Sequence, residues 1–298
     1  VSDMNEIYKR EQLLIRAREE AEQANRAKSS FLARMSHDIR TPMNGILGMA
    51  RIASEHVNDP DVVLDCVEKI NSAGKQLERL INEVLDLSRL ESGKTELIPE
   101  PFHLGREMEK LYDLLSEQAK DQLIQFVPVR CTLLHNEVIG SLLHLRRILE
   151  NLLSNAIRYN RVQGTVELSV EEEPIAISRS LYRFTIKDTG IGMSPEFQKH
   201  LFEPFIRDAQ AERTESQGSG LGLAITRDLV TLMGGTISVK SELGQGTTFT
   251  IELPLELDPN PPVNKDQPDE SVSLNNLRIL LVEDNNLNLE IAQYLLIN

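Results

Sequence analysis

The chain has 298 residues, which is enough for about two domains, each with its own hydrophobic core. Acidic residues outnumber basic ones by 46 to 32, and the net charge of -14 argues against nucleic acid and anionic lipid as partners. No run reaches the roughly 18 apolar residues of a membrane span, and two distant cysteines argue against a zinc site or a disulfide framework. These properties predict a cytoplasmic protein. Because the chain begins without methionine, we expect it to be part of a longer protein whose membrane anchor, if any, lies upstream.

Helical patterning dominates the first 95 residues. Residues 1–30 are charged and rich in alanine, which is equally typical of a signalling coiled coil and of a solvated lead-in helix. Between residues 31 and 95, two apolar stripes recur at steps of three and four, and Asn58, Asp59 and Pro60 separate them. The first stripe comprises Phe31, Met35, Ile39, Pro42, Ile46, Met49 and Ala53, and the second comprises Val63, Val67, Ile70, Gly74, Leu77, Leu80, Ile81, Val84, Leu87 and Leu90.

The two stripes predict an antiparallel helical hairpin over residues 31–95. Two helices alone cannot cover stripes this wide, so we predict that two copies pair in a four-helix bundle and that the protein is a homodimer. The alternative is that the stripes pack on the domain that follows.

Residues 99–258 predict an α/β sandwich, because helical segments alternate with short β-rich runs and glycine becomes frequent. The predicted helices are 104–123, 144–158 and 219–233, and the predicted strands are 165–170, 182–187, 236–240 and 247–253. Residues 259–276 are rich in Pro, Asp and Asn and predict a linker. Residues 277–298 predict an apolar strand, the acidic pair Glu283 and Asp284, and the start of a helix.

His37 is the first candidate for chemistry. It lies about 200° round the helix from Met35, and Thr41 lies about 240° round, so both are predicted to face solvent. A lone helical histidine is usually inert, but Asp38 is adjacent and Pro42 removes a backbone donor and kinks the helix at this point. A neutral imidazole is a competent nucleophile, and a neighbouring carboxylate can orient it.

Asn151 and Asn155 form a second candidate group, with Arg158 and Tyr159 one turn further along. An amide oxygen is a suitable ligand for Mg²⁺ that is bound to nucleotide phosphates. Taken alone, two asparagines on a helix more often indicate a cap or a polar face.

Two glycine clusters, Asp188–Met193 and Gln217–Ile225, form the third group. Glycines let backbone amides approach phosphates, and the second cluster runs into a predicted helix whose N-terminus attracts anions. Structural turns are the alternative for both clusters. A further run, Gly93-Lys94-Thr95, is not a P-loop, because Ser88 stands where glycine is required and because a helix precedes it.

In this order the motifs resemble those of the sensor histidine kinase family. SFLARMSHDIRTPMNGILGM resembles its phosphoacceptor box, NLLSNAIRYN its N box, DTGIGM and QGSGLGLAI its glycine boxes, and FEPF its F box. The resemblance covers residues 24–255. The terminal LRILLVEDNNLNLEIAQYLL is similar to the opening of a response-regulator receiver domain, so the parent protein resembles a hybrid kinase.

The resemblance implies a dimeric histidine phosphoacceptor hairpin followed by an ATP-binding domain of the gyrase and histidine-kinase type. The implied activity is ATP-dependent autophosphorylation on His37, with Asp38 assisting and Thr41 positioning water for dephosphorylation. The phosphoryl group would then pass to an aspartate of a receiver domain or response regulator. The implied cofactors are ATP and Mg²⁺.

The resemblance also implies the residues that hold these cofactors. Asn155 matches the Mg²⁺ ligand, Asp188 matches the carboxylate that recognises the adenine amino group, and Arg158 stands where lysine is commoner. The other nucleotide residues implied are Asn151, Tyr159, Gly190, Gly192, Gly218, Gly220, Leu221 and Gly222, and a lid over residues 207–217 supplies Arg207 or Arg213. Glu283 and Asp284 match the metal-binding acids of a receiver domain.

Two other readings compete with the kinase. A gyrase-type ATPase shares the asparagine helix and the glycine boxes, but it has no phosphoacceptor helix. A signalling scaffold with a decayed ATP site is disfavoured, because Asn155, Asp188 and the glycines of the second box are all present.

Overall fold

The computed structural model describes residues 35–204, 206, 220–259, 281, 289–290 and 292–293. The chain divides into two compact units, Val1–Pro259 and Asn260–Asn298, and the fold described below belongs to the first. Several predictions lie outside the described residues: those on the lead-in segment, Phe31, Arg207, Arg213, Gly218, the linker, Glu283 and Asp284.

A helical hairpin precedes the sheet, as predicted. Helix α1 covers residues 35–55 and continues through Pro42, and α2 is Pro60–Glu91. The Asp59 carboxylate accepts a hydrogen bond from the Val62 N–H, and Pro60 occupies the first turn, where its missing N–H costs nothing. Gly93, at φ +63°, follows the end of α2, so the Gly-Lys-Thr run is a helix terminus and not a phosphate loop.

The buried face of α1 follows the predicted stripe. Met35 and Pro42 are buried and the remaining stripe residues of α1 are half-buried. The second stripe is divided, because Val84, Leu87 and Leu90 pack on the core of the following domain, whereas other apolar side chains of the hairpin are exposed. These exposed side chains include Met43, Leu47, Leu64, Val67, Ile81 and Leu85.

The second part of this unit is an eight-stranded sheet covered by helices. The strands are β1 Glu100–His103, β2 Gln125–Phe126, β3 Arg130–Thr132, β4 Glu137–Gly140, β5 Thr165–Ala176, β6 Arg179–Asp188, β7 Thr236–Glu242 and β8 Gly246–Leu257. Their order is β1-β4-β8-β6-β5-β2, with β3 also beside β5 and β7 also beside β8. The helices are α3 Leu104–Asp121, α4 Leu142–Arg158, α5 Pro195–His200 and α6 Gly222–Leu232.

Buried and more exposed side chains alternate along β6, and this alternation explains how the sheet forms one side of the core. Tyr182, Phe184 and Ile186 are buried, while the residues between them are half-exposed or exposed. Helix α4 packs its apolar face into the same core, including Leu149. Asp188 is the last residue of β6 and continues the same inward-facing row, so the fold places a carboxylate at the edge of an apolar core.

The α/β sandwich is confirmed, although its strands are longer and more numerous than predicted. Strands β5 and β8 each have 12 residues, and β1 to β4 and α5 were not predicted. None of the helices in the described part of the chain is long and apolar enough to cross a membrane.

Candidate active site

The hairpin presents His37 to solvent. Its side chain is 78% exposed, and its Nδ1 lies 3.2 Å from Oδ1 of Asp38. A carboxylate only accepts, so Nδ1 carries the proton in this contact and Nε2 keeps a free lone pair. The Thr41 hydroxyl, one turn on, donates to the His37 carbonyl at 3.2 Å. The predicted exposure of His37 and Thr41 is confirmed.

The two asparagines of α4 have different surroundings. The Asn151 amide nitrogen donates to the hydroxyl of Thr226 at 2.8 Å and so ties α4 to α6. The Asn155 side chain has no hydrogen-bond partner among the described residues, and it is only half-buried. Asn155 is therefore the amide that is available to a ligand, whereas Asn151 has a bond that fixes the helix pair.

Asp188 is a buried carboxylate with directed hydrogen bonds. Its Oδ1 accepts from the backbone N–H groups of Gly190 at 2.8 Å and Thr247 at 3.2 Å. Burial raises the pKa of Asp188 to about 6, and these two hydrogen bonds act in the opposite direction. Both bonds that the described chain gives this carboxylate end on Oδ1, so Oδ2 is oriented away from them and suits a hydrogen-bond donor of a ligand.

The first glycine box packs tightly against two neighbouring elements. A Cβ on Gly190 would lie 2.4 Å from the Tyr159 carbonyl oxygen, which also accepts from the Ile191 N–H at 3.1 Å. A Cβ on Gly192, at φ +65°, would lie 1.9 Å from the Glu242 carbonyl oxygen. The box therefore joins the end of α4 to the β7–β8 turn, and it cannot accept side chains at these points.

This contact predicts the effect of a single methyl group. We expect Gly192→Ala to destabilise the domain by more than about 2 kcal/mol, because it adds backbone strain and a collision with the Glu242 carbonyl. Gly244→Ala is the matched control: Gly244 also has a positive φ, +79°, but nothing lies within 4 Å of its added Cβ. Urea unfolding of both variants measures the difference, and equal losses would contradict the packing role of Gly192.

The second glycine box leads into α6. Gly220 has φ +73°, Leu221 is buried and precedes the helix, and Gly222 is its first residue. A Cβ on Gly222 would lie 2.4 Å from the Asn151 side-chain oxygen, so glycine allows α4 and α6 to approach. The N–H groups in the first turn of a helix have no acceptor within that helix, so the start of α6 favours an anion.

The sequence-based prediction missed two residues of this site. Thr226 follows Gly222 by four residues and so lies on the same face of α6, and this spacing was a usable signal. Thr247 pairs with Asp188 across strands β8 and β6, and this pairing has no local signature. Ser141 occupies the N-cap position of α4 without a side-chain capping bond, and its hydroxyl lies 2.6 Å from Nδ1 of His144.

The arrangement combines an exposed histidine on a helical hairpin with an α/β domain that carries a buried carboxylate and two glycine boxes. Residues 27–93 match the family model of the His Kinase A phospho-acceptor domain. Residues 140–257 match that of the histidine kinase-, DNA gyrase B- and HSP90-like ATPases. The first match distinguishes the chain from a gyrase-type ATPase without an acceptor helix.

Sensor kinases from other bacteria are similar to this chain over most of its length. The chain is 35% identical over 282 residues to autoinducer 2 sensor kinase/phosphatase LuxQ of Vibrio vulnificus, covering 91% of this chain and 32% of LuxQ. It is 37% identical over 298 residues to sensor histidine kinase AruS of Pseudomonas aeruginosa, covering 98% of this chain and 29% of AruS. The crystal structure of full-length ShkA in complex with AMPPNP superimposes with a TM-score of 0.57 at 31% identity, over 76% of this chain and 46% of that one.

The chain belongs to the sensor histidine kinase family. It spans about a third of the length of the curated relatives it matches.

Proposed function

We propose that the chain is an ATP-dependent, autophosphorylating protein-histidine kinase of a two-component phosphorelay. The observation that carries this proposal is the exposure and orientation of His37, which lies in the stretch that matches the phospho-acceptor domain. His37 is 78% exposed on its helix, and its Nδ1 is oriented by Asp38. Such a ring presents Nε2 to an electrophile without any need to unfold or repack its surroundings.

The phosphoryl transfer step follows from this orientation. Nε2 of His37 attacks the γ-phosphorus of ATP, the bond between that phosphorus and the bridging oxygen breaks, and ADP leaves with the bond electrons. The ring becomes positively charged during attack, and the Asp38 carboxylate stabilises it through Nδ1–H until that proton is lost to solvent. Thr41, whose hydroxyl lies beside the same helical turn, is the residue we assign to positioning water in dephosphorylation.

The α/β domain supplies the nucleotide site. Oδ2 of Asp188 would accept from the adenine amino group, and Gly190 and Gly192 form the backbone wall beside it. The start of α6, with Gly220, Leu221 and Gly222, would face the phosphates. Gly218 belongs to the same box by sequence. Arg158 and Tyr159, at the C-terminal end of α4, would also contact the nucleotide.

The residues present fit a Mg²⁺ ion held between Asn155 and the phosphates. Asn155 offers a half-buried amide oxygen that has no partner among the described residues, and a hard cation prefers such an oxygen ligand. Bound Mg²⁺ would offset the negative charge of the phosphate oxygens during transfer. Asn151 would position Asn155 by fixing α4 against α6.

The proposed partners are a second copy of the chain and a receiver domain or response regulator, and the proposed location is cytoplasmic. The receiver aspartate would accept the phosphoryl group from His37, and Glu283 and Asp284 are proposed as the metal-binding acids of a receiver domain that begins near residue 277. The two cysteines that the structure describes are both free thiols, which fits a reducing compartment.

Dimerisation would cover the exposed apolar face of α2. We expect Leu64→Lys combined with Leu85→Lys to convert a dimer into a monomer, because these exposed side chains lie on one face of the helix and the charges would be buried between copies. Leu143→Lys, at an equally exposed position on α4, is the control and should stay dimeric. Light scattering at micromolar concentration measures the mass, and a monomeric parent chain would overturn the bundle.

Incubation with γ-labelled ATP and Mg²⁺ tests the activity. A phosphoramidate on imidazole is lost in acid and survives base, whereas a phosphate ester on serine or threonine survives acid. We expect base-stable, acid-labile labelling of the chain. Labelling that survives acid, or no labelling at all, would contradict the proposal.

A further inference from the structure

Ser241 of β7 uses its whole hydrogen-bonding capacity beside the first glycine box. Its hydroxyl accepts from the Met193 N–H at 2.9 Å and donates to the Gly246 carbonyl at 2.9 Å. The Thr247 hydroxyl lies 3.0 Å away. A hydroxyl has one proton and two lone pairs, and Ser241 gives its proton to Gly246, so Thr247 is the donor in the third contact. These three contacts satisfy the Ser241 hydroxyl completely.

The partners of Ser241 lie on the two segments that hold Asp188. Oδ1 of Asp188 accepts from the N–H of Gly190, in the first glycine box, and from the N–H of Thr247, at the start of β8. Met193 is the last residue of that glycine box. The Ser241 hydroxyl therefore joins the segment that supplies one donor to the segment that supplies the other.

Other bonds hold the same end of the glycine box. The side-chain amide of Gln198, on α5, donates to the backbone carbonyls of Met193 and Ser241, each at 3.0 Å. The Gly244 N–H, in the β7–β8 turn, donates to the Ile191 carbonyl at 2.7 Å. Both backbone groups of Met193 are thus bonded by side chains of other elements. Most of the box lies between β6 and α5, outside regular secondary structure, so these bonds determine its position.

We propose that Ser241 is a positioning residue for base recognition, whose hydroxyl holds the first glycine box against the start of β8 and so keeps Oδ2 of Asp188 directed at the adenine amino group. The inference rests on the proposed ATP-binding function. Without this hydroxyl, the Met193 N–H and the Gly246 carbonyl each lose a partner. The box can then shift from β8, and the two donors on Oδ1 of Asp188 no longer fix the carboxylate.

Nucleotide binding to the whole chain, measured by competition with a fluorescent ATP analogue, tests this role. We expect Ser241→Ala to weaken ATP binding by roughly fivefold, the effect of losing about one neutral hydrogen bond. Guanine carries a carbonyl oxygen where adenine carries the amino group, so GTP lacks this contact with Asp188 and its weaker binding should change less. The preference for ATP over GTP should therefore fall. Ser241→Thr keeps the hydroxyl and should restore the preference.

Ser238→Ala is the matched control for this experiment. Ser238 lies on the same strand and is exposed, and its side chain has no hydrogen bond within the described part of the chain. Removing its hydroxyl should change neither the ATP affinity nor the preference for ATP over GTP.

The outcomes distinguish the inference from the proposed function. Unchanged ATP binding by Ser241→Ala would overturn the inference. Equal losses for ATP and GTP would also overturn it, because they would show a general loosening of the domain and not a role in base recognition. Failure of Ser241→Thr to restore the preference would have the same meaning. A parent chain that binds no ATP would overturn the proposed function itself, and the inference with it.

Discussion

Replacing His37 by glutamine is expected to abolish acid-labile phosphate incorporation and to leave ATP affinity unchanged. Glutamine is similar in size but lacks the nucleophilic ring nitrogen. Because the His37 side chain is 78% exposed and its partner among the described residues is the adjacent Asp38, its replacement removes no core packing. The nucleotide groups lie on other elements, so their affinity does not depend on the ring. Labelling with γ-labelled ATP and titration with a fluorescent ATP analogue measure the two properties.

His56→Gln is the matched control for this experiment. His56 is also an exposed histidine of the hairpin, and its Nδ1 lies 3.0 Å from the carbonyl of Ile52 in the preceding turn. We expect this variant to incorporate phosphate as the parent chain does. Full labelling of His37→Gln, or loss of labelling in His56→Gln, would show that the nucleophile lies elsewhere.

Replacing Asp188 by asparagine is expected to abolish ATP binding while raising the stability of the domain at neutral pH. The asparagine oxygen can accept from the Gly190 and Thr247 N–H groups as the Oδ1 of aspartate does. The amide nitrogen then replaces Oδ2 and presents a donor to the adenine amino group, which is itself a donor. The resulting conflict removes base recognition without disturbing the surrounding loop.

The stability change has a definite pH dependence. The pKa of Asp188 is about 6 in the folded chain and about 3.9 in an unfolded one, so the folded state binds the proton more tightly. Ionisation therefore costs stability, fully above pH 6 and not at all below about pH 4. Asparagine cannot ionise, so Asp188→Asn should gain up to about 3 kcal/mol at pH 7 and little at pH 4.

Thermal unfolding across this pH range, with ATP binding measured at pH 7, checks both effects. Asp113→Asn is the control, because Asp113 is an exposed carboxylate on α3 and should change neither property. A variant at position 188 that is less stable than the parent at pH 7 would contradict the burial argument. A variant that binds ATP normally would contradict the assignment of Asp188 to the adenine.

Helical periodicity was sufficient to predict the exposure of His37. The rotation from Met35 depends only on the regular turn of a helix, and the structure places both residues on the predicted faces. The buried state of Asp188 was not predictable in the same way. It depends on how far the inward-facing row of β6 extends, and on the cross-strand position of Thr247.

Short elements and contacts between domains were also beyond sequence reasoning. Strands β1 to β4 have two to four residues each, so alternation cannot distinguish them from loops. The separate surroundings of Asn151 and Asn155 depend on Thr226 of another helix. The packing of Val84, Leu87 and Leu90 of α2 on the sheet domain was only the alternative interpretation of this stripe, for which a dimer contact was predicted.

Direct localisation of the phosphate tests the central claim most sharply. The chain would be labelled with Mg-ATP, digested at neutral pH so that phosphohistidine survives, and its peptides analysed by mass spectrometry. The expected result is a single phosphorylated peptide, with the phosphate on His37 and its loss after acid treatment. Phosphate on another histidine, or on a serine or threonine of the chain, would contradict the assignment of His37 as the acceptor.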